Sequence, residues 1–148
     1  MGMPIKRFAD EMTRILPGFI KEMARRQMPA VVKANITIQQ VIALEYLTVK
    51  KQAIMSELAQ YMGVTLSAVT GLVGRMVHAK LVSRHYDEKD RRIIIIKPTR
   101  KGRKIAEDIK RRRHKFIMST FSKLSEEDRG NYLRIITKVY SILLKTKG

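Results

Sequence analysis

Apolar side chains recur at steps of three and four through Ile5, Phe8, Met12, Leu16, Phe19 and Met23, the period of an amphipathic helix. Pro17-Gly18 falls inside this pattern and predicts a kink or a late start, because proline lacks the amide that a helix interior uses. The stretch Pro29–Asn35 reads as a connection. Thr37 is placed to cap a second helix that carries Ile38, Val41, Ile42, Leu44 and Leu47 to about Val49. Two shorter helical segments follow, about Ala53–Met62 and about Leu66–Ala79, meeting at Gly63-Val64-Thr65. This is helix, tight turn, helix, with Gly at the turn and Thr65 or Ser67 available as the N-cap.

The period then changes. Leu81–Tyr86 and Ile93–Pro98 are β-prone runs on either side of the polar Asp87-Glu88-Lys89-Asp90-Arg91-Arg92, and the pair reads as a hairpin. Two long helices finish the chain. One, about Thr99–Ser122, places Ile105, Ile109, Phe116, Ile117, Thr120 and Leu124 near its apolar face. The other opens on Ser125-Glu126-Glu127-Asp128, close to a capping box, and carries Tyr132, Leu133, Ile136, Val139, Tyr140 and Leu143. The expected fold is therefore mainly α with a small β-hairpin wing: a winged helix-turn-helix with extra helices at both ends.

Charge sharpens the picture. Among 148 residues, 31 Lys and Arg face 13 Asp and Glu, a net charge of +18. Residues 101–148 alone carry 14 basic against 5 acidic side chains, half of the excess. Such a field suits a polyanion, nucleic acid first and an anionic membrane surface second. Cysteine is absent, which excludes a disulfide frame, a thiolate zinc site, a cysteine nucleophile and thiol-based peroxide sensing. The longest aliphatic run, Ile93–Ile96, is far too short to span a bilayer. The Met1–Lys6 segment has no signal-type apolar region, and Lys6 stands where a myristoylation signal wants Ser or Thr, so the expected location is the cytoplasm. No G-x-S-x-G, Walker, H-E-x-x-H or dinucleotide fingerprint is present, so no enzyme activity and no cofactor are expected.

Three stretches, in order, resemble the MarR family (multiple antibiotic resistance regulators). Met55–Val64 is similar to its first motif helix and turn, and Ser67–Met76 to its recognition helix. Leu81–Arg84, Asp87–Arg92 and Lys97–Gly102 together resemble its wing signature. Local physics agrees. Small Ala59 lets the two motif helices approach, Gly63 accepts a positive φ, and Leu58, Val64, Val69 and Leu72 are expected to close the unit from inside. Thr65, Ser67, Ala68, Thr70, Gly71 and Arg75 are left on the outward face, where small side chains allow close entry into a major groove and Arg75 can reach a guanine edge or a phosphate. The chain departs from the family pattern at Gly71 and Gly74, two helix-interior glycines, each costing about 1 kcal/mol relative to Ala. It departs again at Lys80, where the family usually has Gly. There Lys80 either takes a left-handed conformation at a cost, or the helix ends differently.

In the wing, Arg84, Lys89, Asp90, Arg91 and Arg92 are the candidate DNA contacts. Asp90 and Arg92 match the family's D-x-R pair. The resemblance implies an Arg that enters the minor groove, oriented by the aspartate, with Arg91 as the alternative. A plain turn-stabilising ion pair is the competing reading. Lys110, Arg111 and Arg112, in the run Lys110–Lys115, serve either as a solvated face or as extra phosphate contacts. His78, His85 and His114 lack any metal-ligand spacing, so no metal site is expected. The methionines, Met12, Met23 and Met28 among them, fit core filling better than oxidation sensing.

The resemblance implies a homodimeric, sequence-specific regulator of transcription on double-stranded DNA, more often a repressor, recognising a pseudo-palindrome. It also implies a small aromatic or phenolic anion as effector, bound where the first, second and fifth helices meet. Here that junction would draw on Phe19, Met23, Tyr46 and Phe116, for which plain core packing is the rival reading. The expected organisation is one chain, 1–148, with a DNA-binding lobe at 37–100 and dimerisation helices at 1–30 plus 103–148. The alternative is an architectural, nucleoid-type DNA binder with little sequence preference, favoured by the +18 charge and the Gly71/Gly74 pair.

Overall fold

A computed structural model describes residues 2–146, without the side chains of residues 27, 28, 30 and 32. The expectation placed on Met28 therefore lies outside the described residues. The element order is α1 (Ile5–Ala34), α2 (Ile38–Lys50), β1 (Ala53–Ile54), α3 (Met55–Met62), α4 (Leu66–His78), β2 (Val82–Tyr86), β3 (Ile94–Pro98), α5 (Arg100–Phe121) and α6 (Glu126–Lys145). Two compact units result, residues 1–112 and 113–148.

In the first unit, α1 runs from Ile5 through both Pro17 and Pro29, so it has no late start at Pro17-Gly18, and the connection expected over Pro29–Asn35 is helical as far as Ala34. Each proline forfeits one intrahelical hydrogen bond, but the turns on either side keep theirs and helix propagation is cooperative. The actual connection is Asn35–Thr37. Asn35 takes φ 52°, and the Ile36 amide donates to the Val31 carbonyl, a left-handed closure that Asn tolerates. Thr37 caps α2 as expected. Its hydroxyl accepts from the Gln40 amide while the Gln40 side chain accepts from the Thr37 amide, a reciprocal box.

The third helix starts later than its pattern suggested. Ala53 and Ile54 form a short strand, pairing antiparallel with Ile96 and Ile95, so the sheet has three strands in the order β1-β3-β2. Two residues are too few to show a period of two, which is why only the partners in β2 and β3 were legible. The hairpin is in register from Val82 opposite Pro98 to Tyr86 opposite Ile94.

The core lies between α2, α3, α4 and the inner face of this sheet. Leu44, Leu47, Leu58, Val69, Val73, Met76, Leu81 and Ile96 are fully buried, each worth about 1.5–3 kcal/mol if transferred wholly from water. Ala106 and Ile109 bring α5 onto the same core. Met76 fills the centre, whereas Met12 and Met23 are only half-buried.

In the second unit Ser125 caps α6 by accepting the Asp128 amide at 3.0 Å, and the Phe121 and Tyr132 rings pack 5.0 Å apart. The Arg129 guanidinium donates to the carbonyls of Phe121 and Leu124, closing the turn before α6. Among the described residues of α6 none is buried.

Candidate nucleic-acid interface

The motif helices meet as the residue types require. Gly63 takes φ 65°, and the Gly63 and Val64 amides donate to the Gln60 and Ala59 carbonyls, ending α3 in a left-handed turn. Thr65 then caps α4, its hydroxyl accepting the Ala68 amide at 3.1 Å, so Ser67 is not the cap. Leu58, Ala59, Val69 and Leu72 bury the inner side of the pair. Val64 does not join them. It is 37% exposed, because the left-handed turn at Gly63 carries the chain outward before α4 begins.

All six outward candidates, Thr65, Ser67, Ala68, Thr70, Gly71 and Arg75, are exposed on one side of α4. The Thr70 hydroxyl donates to the Leu66 carbonyl, which leaves its oxygen free to accept from a donor outside. Neither helix-interior glycine has a positive φ or a steric need. A Cβ at Gly71 would sit 3.6 Å from Arg75 Nη1, and one at Gly74 would sit 3.6 Å from Arg84 Nη2, both ordinary contacts.

Lys80 takes the left-handed option, with φ 61°, and its amide and that of Leu81 donate to the Val77 and Met76 carbonyls. The hydrogen-bond pattern of a glycine closure is kept, with a Cβ in an unfavourable place. Immediately beside it, Thr99 Oγ1 donates to the Lys80 carbonyl at 2.6 Å and accepts the Gly102 amide at 3.0 Å. A Cβ on Gly102 would collide with the Leu81 carbonyl and press on Leu44. This joint ties the end of α4 to the start of α5.

The wing is built by carboxylates. Asp87 accepts the amides of Lys89 and Asp90, each at 2.9 Å, and so shapes the turn. Asp90 Oδ1 accepts from Arg92 Nε at 3.0 Å and Oδ2 from Arg92 Nη2 at 3.1 Å, a two-pronged pair, with the Arg92 amide also on Oδ1. The Arg92 side chain, then its amide, hold the Asp90 carboxyl below its ordinary range, while Asp90 raises the guanidinium further. Both groups are open to solvent, and Arg92 is 91% exposed in its side chain. Lys89, Arg91 and Arg84 are exposed as well.

Recognition helix and wing come together in a cleft of about 290 Å³ lined by Thr70, Arg84 and Arg92 with Met55, Leu66 and Ile94. The last three were missed from sequence. Leu66 is 56% exposed just inside the cap of α4, and an apolar residue there was the available signal.

Other candidates are more scattered. Arg111 and Arg112 both bind the Asp108 carboxylate, at 2.6 and 3.0 Å, while Lys110 is exposed beside them. Phe19 is exposed on α1, Met23 is half-buried, and Tyr46 stacks on Tyr61 with ring centroids 4.1 Å apart. Phe116 lies in the second unit. Among the described residues no three His, Asp or Glu side chains gather to hold a metal, and no helix is long and apolar enough to cross a membrane.

The helix and wing candidates, from Thr65 to Arg92, fall inside a segment that matches a family model. Residues 34–93 match the model of the MarR family. Over 75 residues the chain is 31% identical to the uncharacterized HTH-type transcriptional regulator YfiV of Bacillus subtilis (strain 168), spanning 51% of this chain and 47% of YfiV. A second regulator of that organism, the uncharacterized HTH-type YsmB, is 25% identical over 92% of both chains. Among solved structures, Streptococcus pneumoniae FabT in complex with DNA superposes with a TM-score of 0.82 at 22% identity, over 97% of this chain and 100% of that one. A left-handed turn at Gly63, a capped α4 and a D-x-R wing fall within residues 34–93, where the chain is similar to the MarR family, on a fold shared almost end to end with FabT.

Proposed function

We propose that the chain is a sequence-specific regulator of transcription that binds double-stranded DNA as a homodimer, as a repressor in the cytoplasm. The observation that carries this reading is the arrangement of one lobe. It presents a small-residue helix face with Arg75 and, across a shared cleft, a wing bearing Arg84 and Arg92. The helix face suits a major groove and the Asp90-oriented guanidinium suits the adjacent minor groove. On specific DNA, Arg92→Ala should cost on the order of 1–3 kcal/mol at the flanking base pairs while leaving random DNA less affected. Equal loss on both would reduce the Asp90–Arg92 pair to a turn stabiliser.

Dimerisation is supported by apolar surface. On α1, Ile5, Phe8, Ile15, Leu16, Phe19 and Ile20 are exposed, and on α6 so are Leu133, Ile136, Tyr140 and Leu143. Patches of that extent mark an interface, and a two-fold partner would place two recognition helices about one helical turn of DNA apart. For the effector, a small aromatic anion suits the +18 field.

Selection of bound sequences from a random DNA pool tests the reading. A pseudo-palindromic motif is expected. The second reading, an architectural binder, is favoured by the net charge and by Gly71, which places no side chain on the groove-facing helix. It requires that no motif emerges and that affinity at physiological salt is the same for all sequences.

A further inference from the structure

Leu66 is the first residue of α4, next to the Thr65 cap, and is 56% exposed. The N-terminal end of a recognition helix is the part that meets base edges in the major groove. A lone exposed leucine is ordinary, but this one is not alone. Met55 at the start of α3 and Ile94 at the start of β3 line the same cleft of about 290 Å³. Both are half-buried and packed against the hydrophobic core, which fixes the apolar surface in place. Arg84 and Arg92 line that cleft from the wing side and make its edge cationic. On a duplex, phosphates take the guanidiniums, and the apolar surface needs a partner on the bases. The C5-methyl of thymine is the one methyl group that a base pair shows in the major groove. Against a G·C edge the same leucine meets only hydrogen-bonding groups, whose water it displaces without replacing.

Thr70 sharpens the choice. Its hydroxyl donates to the Leu66 carbonyl at 2.7 Å, so only its acceptor capacity is left for a base. Residues four apart on a helix are surface neighbours, and Leu66 and Thr70 line one cleft. An acceptor beside an apolar surface complements the adenine amine and the thymine methyl of an A·T pair. We propose that Leu66 is a specificity-determining residue, selecting thymine at one position of each half-site through its C5-methyl group. The assignment rests on the DNA-binding reading. It adds a reader that works by apolar contact to a helix face whose other candidates are small, polar or basic.

The test uses the full chain and the selected DNA motif, with one dT at a time replaced by dU. That exchange removes the methyl group and keeps the base pairing. In the unsubstituted chain, dU at one position of a half-site should weaken binding by about fourfold, the worth of one buried methyl group. The salt slope should not change, because the methyl carries no charge. Leu66→Ala should bind the dT and dU duplexes equally at that position, as a double-mutant cycle requires of a direct contact. Leu66→Gln, similar in length but polar, should lose the difference too, and keeps the test decisive if Ala loosens the cleft. Leu66→Met, still apolar, should retain the dU penalty. A scan without any such position would overturn the assignment. So would a dU penalty that persists in Leu66→Ala and Leu66→Gln, since Leu66 would then only support the cleft. A pool that yields no motif overturns the DNA reading beneath, whereas a motif with no Leu66-dependent thymine overturns the Leu66 assignment alone.

Discussion

Lys80 holds a backbone conformation, φ 61°, that costs a residue with a Cβ on the order of 1–2 kcal/mol. Lys80→Gly should therefore raise stability by about 1 kcal/mol after the greater flexibility of Gly in the unfolded chain is counted. Denaturant unfolding would show a higher midpoint at unchanged slope, and an unmoved midpoint would mean that the surrounding joint imposes no strain. Asp90 offers a second residue-scale prediction. Its folded carboxyl titrates below the ordinary value because Arg92 favours the charged form. The wing pair is therefore fully formed at neutral pH, and its contribution is lost only as pH falls through that lowered value. Carboxyl NMR titration should place Asp90 below a free aspartate and return it upward in Arg92→Ala. The Asp90–Arg92 pairing was legible from two residues apart in sequence, since an aspartate and an arginine at that spacing in a turn need no tertiary partner to meet. The exposure of Val64 was not, because the direction of the chain after Gly63 depends on the turn that the packed helices impose.

Between elements, the joint of α4 and α5 concentrates constraint. Gly102 sits against the Leu81 carbonyl and Leu44, leaving no room for a Cβ. Gly102→Ala should destabilise by about 1–3 kcal/mol, as overpacking at a close approach does. Thermal unfolding checks this, and a melting temperature equal to that of the unsubstituted chain would show that α5 can shift away at no cost. Capped helices were readable because Thr37, Thr65 and Ser125 act on amides three residues ahead. The strand β1 was not, since Ala53 and Ile54 become a strand only when Ile95 and Ile96 arrive beside them. Likewise α1 passes Pro17 and Pro29 because neighbouring turns sustain it, a cooperative effect that single-residue propensity does not contain.

At the scale of the whole molecule, the exposed apolar faces of α1 and α6 call for a partner surface. Light scattering at micromolar concentration should give twice the 17.1 kDa chain mass. A mass near that of one chain would remove the homodimer. The +18 charge predicts steep salt dependence of DNA binding. Neutralising Arg111 and Arg112 should flatten the slope by about 0.9 for each phosphate they neutralise in the complex. An unchanged slope would assign both guanidiniums to Asp108 alone, the partner each has in the folded chain.

What the sequence determined by itself was whatever local chemistry and periodicity encode. This covers the order of helices and hairpin, the caps, the glycine turn, the outward face of α4, the wing pair and the basic field. What only the tertiary structure decided depends on groups far apart in the chain. The third strand needs Ile54 beside Ile95, and the tight seat of Gly102 needs Leu44 and Leu81 beside it. The hold of Lys101 on Ala79 spans 22 residues. Such contacts form when a shared apolar core brings distant segments together, and no short-range pattern records which segments those will be.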